Sequence, residues 1–385
     1  MEIDWRREAE GIAPELTALR RAIHRHPELG NREFQTAERV ETALRSWGIE
    51  TERMLDTAVV GRLHGAHTGP TVAIRADMDA LPIQEATGSE FASEVEGVMH
   101  ACGHDVHMAA ALGAAKLLSN HRAEFSGSVA FLFQPDEEGS GGAQRMIQKG
   151  VLEGVDAVFG AHVSPELPAG SVGIRHGKFY AASDTFQITL TGKSAHGAER
   201  HKGVDALAAG AELTLALLSL PEALGGERSV VSVGTLRAGR AINVVADSAE
   251  LSGIVRTLGP EARKRMRELL REAVRMMEDR TGVTAELRLR ESYPGVVNED
   301  TMTDLAWDTA VRLLGEGQVF NLTEPTMTTE DFGYFLLERP GCFYHIGAGC
   351  EKPLHNPEFL PAEESVLTGA AIHAAVAEAF LNRQR

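Results

Sequence analysis

Apolar residues recur with two different periods along this chain, and the switches between them mark its elements. Residues 4–48 keep helical spacing, with Leu16, Leu19 and Ile23 and then Ala37, Val40, Ala43 and Leu44 on one face. The run His26-Pro27-Glu28-Leu29-Gly30 breaks them into two helices. Short strand patterns follow at 59–63 and at 71–75, the latter running into Ala76-Asp77-Met78-Asp79. A helix of small apolar residues covers 106–118, and continuous apolar runs at 128–133 and 156–161 read as buried strands. Strands alternating with helices predict an α/β layer on a mostly parallel sheet.

Near residue 180 the pattern changes. Residues 185–191 alternate as a half-exposed strand, 204–218 form a helix, and 229–236 and 249–257 are strands. An amphipathic helix at 260–279 carries Pro260 in its first turn, and 284–289 is a last strand. Strand, helix, strand, strand, helix, strand is the ferredoxin-like order. From about residue 292 the α/β character returns, with a helix at 302–314, a strand at 342–347 and a final helix at 362–380. The expected organisation is a discontinuous α/β domain, 1–181 and 292–385, carrying an inserted α+β domain at 182–291. No internal repeat or low-complexity run interrupts it.

Composition adds limits. At 385 residues two domains are the natural expectation. A formal net charge of -17 argues against nucleic acid or an anionic membrane as partner, because both require positive patches. No run approaches the roughly 18 uninterrupted apolar residues of a membrane span, and the acidic start MEIDWRREAE does not read as a signal peptide. Three cysteines, Cys102, Cys342 and Cys350, suggest no disulfide framework, and a reducing, cytoplasmic location is expected.

The chemistry concentrates in His100-Ala101-Cys102-Gly103-His104-Asp105-Val106-His107, a tight loop feeding a buried helix. Backbone N–H groups at a helix start lower a thiol pKa, which predicts a Cys102 thiolate. Thiolate and neutral imidazole are preferred ligands of zinc and related ions. The strand at 128–133 ends in Gln134-Pro135-Asp136-Glu137-Glu138-Gly139, three adjacent acids at the edge of an open sheet where ligands bind. One such carboxylate can coordinate metal while its neighbour serves as a general base. The strand at 156–161 ends in His162, and the strand at 342–347 leads to His355. Cys102, His104, Glu138, His162 and His355 thus converge on one rim as candidate ligands. His24 and His26, at a helix end before Pro27, read as structural.

These motifs together resemble the metal-dependent N-acyl-amino-acid amidohydrolases and carboxypeptidases, in the branch with hippurate hydrolase, bacterial aminoacylases and plant indole-acetyl-amino-acid hydrolases. The likeness runs almost end to end through His26-Pro27-Glu28-Leu29, Arg75 to Pro82, His100 to His107, Gln134 to Gly139, Ala161-His162-Val163, Asn243-Val244, Gly253 to Arg256, Glu330-Asp331-Phe332 and Leu354-His355-Asn356-Pro357. The resemblance implies two divalent metal ions, zinc or manganese, with Cys102 bridging them. His104 and His162 complete one site, Glu138 and His355 the other. It implies Glu137 as general base and Asp77 and Asp79 as groups holding the ligands in place. His196 polarises the scissile carbonyl, usually in the neighbouring subunit of a homodimer. Asn243 and Arg256 hold the substrate, the arginine through its free carboxylate.

The resemblance departs at Ser194 to His201, where relatives carry a Gly-Gly-His, and at Arg240, where many carry Gly-Gly before Asn. The implied substrates are N-acyl amino acids or dipeptides. Three rival readings differ in kind. A cysteine hydrolase built on Cys102 would ignore chelators, a silent binding protein would lack Glu137 or a ligand, and a dipeptidase would require a free amine on the acyl side.

Overall fold

A computed structural model describes residues 3–383. Two compact units emerge from the packing. The first comprises the chain up to Gly177, Asn298–Thr323 and everything from Asp331 on; the second comprises Lys178–Val297 and Glu324–Glu330. The return of Glu324–Glu330 to the second unit is invisible in the strand and helix pattern, because that segment has no regular structure of its own.

In chain order the elements are α1 (Trp5–Gly11), α2 (Ala13–Arg25), α3 (Phe34–Ser46), β1 (Glu50–Met54), β2 (Ala58–His64), β3 (His67–Asp77), α4 (His104–Asn120), β4 (Ser126–Gln134), α5 (Gly142–Gln148), β5 (Ala157–Ser164) and β6 (Val172–Ile174). The second unit follows with β7 (Gly177–Tyr180), β8 (Ala182–Thr191), α6 (Ala206–Leu218), β9 (Ser229–Ala238), β10 (Ser248–Thr257), α7 (Pro260–Thr281), β11 (Thr284–Glu291) and β12 (Val296–Asn298). The chain closes with α8 (Asp300–Leu314), β13 (Val319–Asn321), α9 (Gly333–Glu338), β14 (Gly341–Gly347) and α10 (Glu364–Asn382).

The large sheet has the order β1-β2-β4-β3-β5-β14-β6-β13. The β3–β4, β3–β5, β5–β14 and β6–β13 pairs are parallel, and β1–β2, β2–β4 and β6–β14 are antiparallel. The fold is therefore α/β with a mostly parallel sheet. Its central strands β3, β4, β5 and β14 end at the same rim, which is where a parallel arrangement gathers the residues following each strand. The second unit is a four-stranded antiparallel sheet ordered β11-β8-β10-β9 with α6 and α7 packed on it, the ferredoxin-like arrangement.

Within the first unit, α4 is buried from His104 to Leu118 apart from Lys116, which only a helix apolar on nearly every side tolerates. It crosses α10, whose residues from Ser365 to Ala377 are buried apart from Leu367. Small residues set the crossing. A Cβ on Gly113 would lie 2.7 Å from the Ala370 Cβ, and one on Gly369 would lie 2.7 Å from the Ala110 Cβ. The first helical segment is broken once more than its periodicity predicts, because α1 ends at Gly11 and Pro14 occupies the first turn of α2.

Two helical stretches, Ala206–Leu224 and Glu364–Asn382, are long and apolar enough to cross a membrane by length and mean composition, though neither is an uninterrupted apolar run. Burial of 72% in the core explains the apolar character of the second, whereas the first is only 22% buried.

Because the α4–α10 crossing leaves no room for a branched side chain, Gly113→Val is expected to destabilise the protein by about 1–3 kcal/mol. Chemical denaturation measures this, and an unchanged midpoint would show that the helices can separate at no cost.

Candidate metal centre

The site is built at the rim from four strand ends. Cys102 and Gly103 form the turn before α4, where Gly103 takes φ 87° and a Cβ would sit 2.4 Å from Val163 Cγ2. Only glycine suits that turn. β4 delivers Glu137 and Glu138, β5 delivers His162, and the loop after β14 delivers His355. His355 holds a left-handed backbone, φ 63°, pinned by its N–H to the Ala101 carbonyl at 2.8 Å. A non-glycine residue adopts that conformation at a cost that the surroundings must offset.

Cys102 Sγ lies at the middle, 3.2 Å from His162 Nε2 and 3.3 Å from His355 Nε2. Two trios of possible metal-ligand atoms share it: Cys102, His104 and His162, and Cys102, Glu138 and His355, each trio lying within 4.8 Å. Glu137 forms a further such group with His104 and Glu138. The imidazoles are oriented by their other nitrogens. His104 Nδ1 donates to the Asp79 carbonyl at 2.8 Å and His162 Nδ1 to the Val163 carbonyl at 2.8 Å, because a carbonyl can only accept. Both therefore present an unprotonated Nε2 when neutral.

These residues fit a cation. His104 Nε2 is buried without a hydrogen-bond partner, 3.7 Å from Asp77. Glu138 Oε1 lies 2.9 Å from His355 Nε2, close enough for an ion pair yet off hydrogen-bond geometry. Burial, together with Glu138, Glu137 and Asp77, pushes the Cys102 thiol well above its ordinary pKa. This reverses the expected thiolate: the helix start is outweighed by three carboxylates, and only an added positive charge inverts that balance. Burial opposes protonation of His104, but Asp77 and Asp79 hold it up to about 10. Burial and His107 keep His162 well below its ordinary value, hence neutral and ready to ligate.

Around the cluster runs a buried polar frame. The Asp79 carboxylate accepts the Glu137 and Glu138 N–H groups at 3.0 and 2.9 Å, while the Asp136 N–H donates to Glu33 at 3.0 Å. Three consecutive amides of the acidic loop are thus captured by carboxylates from two other segments. Burial, with Asp79 nearby, raises Glu33 to about 7. Asp77 accepts from His107 Nδ1 at 2.6 Å and from Arg75 at 2.7 Å, and His107 Nε2 accepts the Val163 N–H at 2.9 Å. Burial resists ionisation of Asp77, yet His104, His107 and Arg75 hold it well below the usual carboxylate range. Arg75 continues to Asp331 at 2.8 Å.

Sequence reasoning gave Arg75, His107, Glu33 and Asp331 no role. A signal existed for three of them, since Arg75 precedes Asp77 on alternating strand positions, His107 closes the run His100 to His107, and Asp331 lies in Glu330-Asp331-Phe332. Nothing in the pattern marked Glu33. His24 lies elsewhere, in a buried ion cluster with Asp105 at 2.9 Å and Glu85 at 3.3 Å.

His196, Asn243 and Arg256 belong to the second unit. His196 and Val244 form an isolated antiparallel bridge, and the Gly197 N–H donates to the Asn243 carbonyl at 2.7 Å, so His196 and Asn243 are neighbours. Both are exposed. Arg256 sits half-buried on β10, where burial lowers its pKa. Arg240 pairs with Asp247 at 3.0 Å on the surface.

A metal-dependent hydrolase acting on amide bonds is the class that this rim and its donor set define. The chain belongs to peptidase family M20/M25/M40, whose model matches residues 73–379. It is 38% identical over 377 residues to thermostable carboxypeptidase 1 of Saccharolobus solfataricus, covering 95% of each chain. It is 37% identical over 366 residues to an N-acetylcysteine deacetylase of Bacillus subtilis, covering 94% of this chain and 96% of that one. Among solved structures, a dinuclear metal-binding M20 peptidase from Bacillus subtilis superposes with a TM-score of 0.88 at 36% identity, over 97% of this chain and 99% of that one.

Metal binding by Cys102 and His104 is expected to release their protons, because burial and nearby carboxylates hold the thiol well above its ordinary pKa and, against burial, Asp77 and Asp79 hold the imidazole at about 10. Affinity is therefore expected to tighten as pH rises from 6 to 8, by up to about two orders of magnitude per pH unit. Chelator competition across that range checks it; a flat response would mean that the ligands are already deprotonated.

Proposed function

We propose that this chain hydrolyses the amide bond of N-acyl-L-amino acids at a two-metal centre. Cys102, His104 and His162 would hold one ion, and Cys102, Glu138 and His355 the other. The observation carrying this reading is the pair of ligand trios that share Cys102 beside Glu137. Thiolate with three imidazoles favours zinc on ligand softness, and manganese is the second candidate. When bound, the ions supply an acidified water and a Lewis acid for the carbonyl oxygen.

The protein's own groups do the rest. Glu137 takes the proton of the attacking water and returns it to the leaving nitrogen, acid–base help typically worth about 10²- to 10⁴-fold. His196 Nδ1 accepts the Ala198 N–H at 3.2 Å, so the neutral ring carries its proton on Nε2 and can donate it to a carbonyl oxygen as charge develops there. Arg256, with no ion pair of its own among the described residues, clamps the free carboxylate of the amino acid, and Asn243 beside His196 assists. Residues 182–291 serve as the lid and dimerisation domain. Exposed Leu207, Leu215 and Leu218 on α6, with Val230 and Leu236 on the edge strand β9, suit a homodimer interface. A dipeptidase or carboxypeptidase on the same scaffold shares the carboxylate clamp and differs on the acyl side. A thermostable carboxypeptidase among the relatives keeps that reading alive.

Glu137→Gln is expected to retain metal and lose about 10²- to 10⁴-fold in kcat on N-acetyl-amino acids. Parental turnover would remove Glu137 from the role of base. His196→Ala is expected to lose about 10²- to 10³-fold without losing metal. Mixing its protomers with Glu137→Gln protomers should restore part of the activity if the site is shared between subunits, and no restoration would exclude sharing. A panel of N-acetyl, N-benzoyl and free-amine dipeptide substrates, with metal analysis, separates the two substrate readings.

A further inference from the structure

The proposed base is held by a clamp whose members lie outside the ligand set. The Asp331 backbone N–H donates to Glu137 Oε1 at 3.3 Å in a fully buried setting. That amide is itself immobilised through its own side chain. One Asp331 carboxylate oxygen accepts from Arg75 at 2.8 Å and Gln134 at 2.9 Å; the other accepts from Gln134 at 2.7 Å and the Ala143 N–H at 3.0 Å. Arg75 also donates to the Gln134 side-chain oxygen at 2.9 Å and to Asp77 at 2.7 Å. On the other side, the next residue, Phe332, is fully buried and stacks on Phe343 with ring centres 4.8 Å apart. Residue 331 is thus pinned both through its side chain and through its neighbour.

A carboxylate that must collect a proton in one place and release it in another needs a fixed starting orientation, since small misplacements cost large factors in rate. An N–H bonded to one carboxylate oxygen favours one rotamer and so fixes the direction in which the group faces. We infer that Asp331, clamped by Arg75 and Gln134, is a positioning residue that orients the Glu137 carboxylate for proton transfer. This rests on the reading of Glu137 as the base. It goes beyond that reading in assigning a role to Asp331, Arg75 and Gln134, which are outside the proposed ligand set.

Asp331→Asn tests it. An amide keeps an oxygen toward Arg75 but sets its own N–H₂ against the Gln134 and Ala143 donors, so one side of the clamp opens. Metal-loaded enzyme is expected to lose about 10- to 100-fold in kcat, with KM and metal content within about threefold of the parent. Introduced into Glu137→Gln, the same substitution should cost no more than about threefold further, because residues acting as one unit are not additive. Gln134→Met leaves the Arg75–Asp331 ion pair intact, removes both hydrogen bonds that the Gln134 amide donates to Asp331 and the one it accepts from Arg75, and is expected to lower kcat about 3- to 10-fold with the same loss of additivity.

It carries the test alone if Asp331→Asn does not fold. A full, multiplicative loss in the Glu137→Gln background, a loss that tracks metal content, or an unchanged kcat would overturn the inference. Full activity of Glu137→Gln by itself would instead overturn the assignment of the base, and so the two failures are told apart.

Discussion

The meeting of two groups of possible ligand atoms at one buried sulfur is the constraint on which the proposed site depends. Cys102 Sγ touches imidazole nitrogens from two different strands' ends and is crowded by carboxylates that make its thiolate unfavourable in the protein alone. Such a cluster is expensive to bury unless positive charge enters it. Everything nearby is arranged to tolerate that: a glycine turn that fits only without a side chain, an N-terminal helix end buried to its first residue, and a left-handed His355 reaching in from the last loop. The fold supplies the geometry, because parallel strands deliver their following residues to the same edge.

Much of this was legible beforehand, for physical reasons. The central strands are largely apolar runs because both their faces are covered, and candidate ligands lie at the end of β5 and in the loops that follow β4 and β14. The half-exposed alternation and long amphipathic helix of the second unit gave its order of elements, and the 4-1-3-2 sheet follows from that order. Elements that were not legible carry weak signals. β1 is a polar edge strand, and β6 and β13 are three residues each, too short for a period to register. Apolar composition has different causes in two helical stretches: α10 is apolar because it is buried in the core, whereas the stretch Ala206–Leu224 is only 22% buried.

Around the cluster, the surprises were electrostatic. A thiol at a helix start reads as acidified, yet burial, together with carboxylates distant in sequence, raises the proton affinity of Cys102. Likewise Arg75 is fully buried and joins Asp77 to Asp331 across 256 positions of chain between Arg75 and Asp331. No local pattern reveals such a pairing. Buried charges of this kind are satisfied only as a network, and a network is read from coordinates, not from spacing.

The shared sulfur can be observed directly. Anomalous diffraction from crystals of the metal-loaded protein, collected on both sides of the metal's absorption edge, should show two peaks with the Cys102 sulfur between them and bonded to both. A single peak, or two peaks of which one lies away from Cys102, would contradict it.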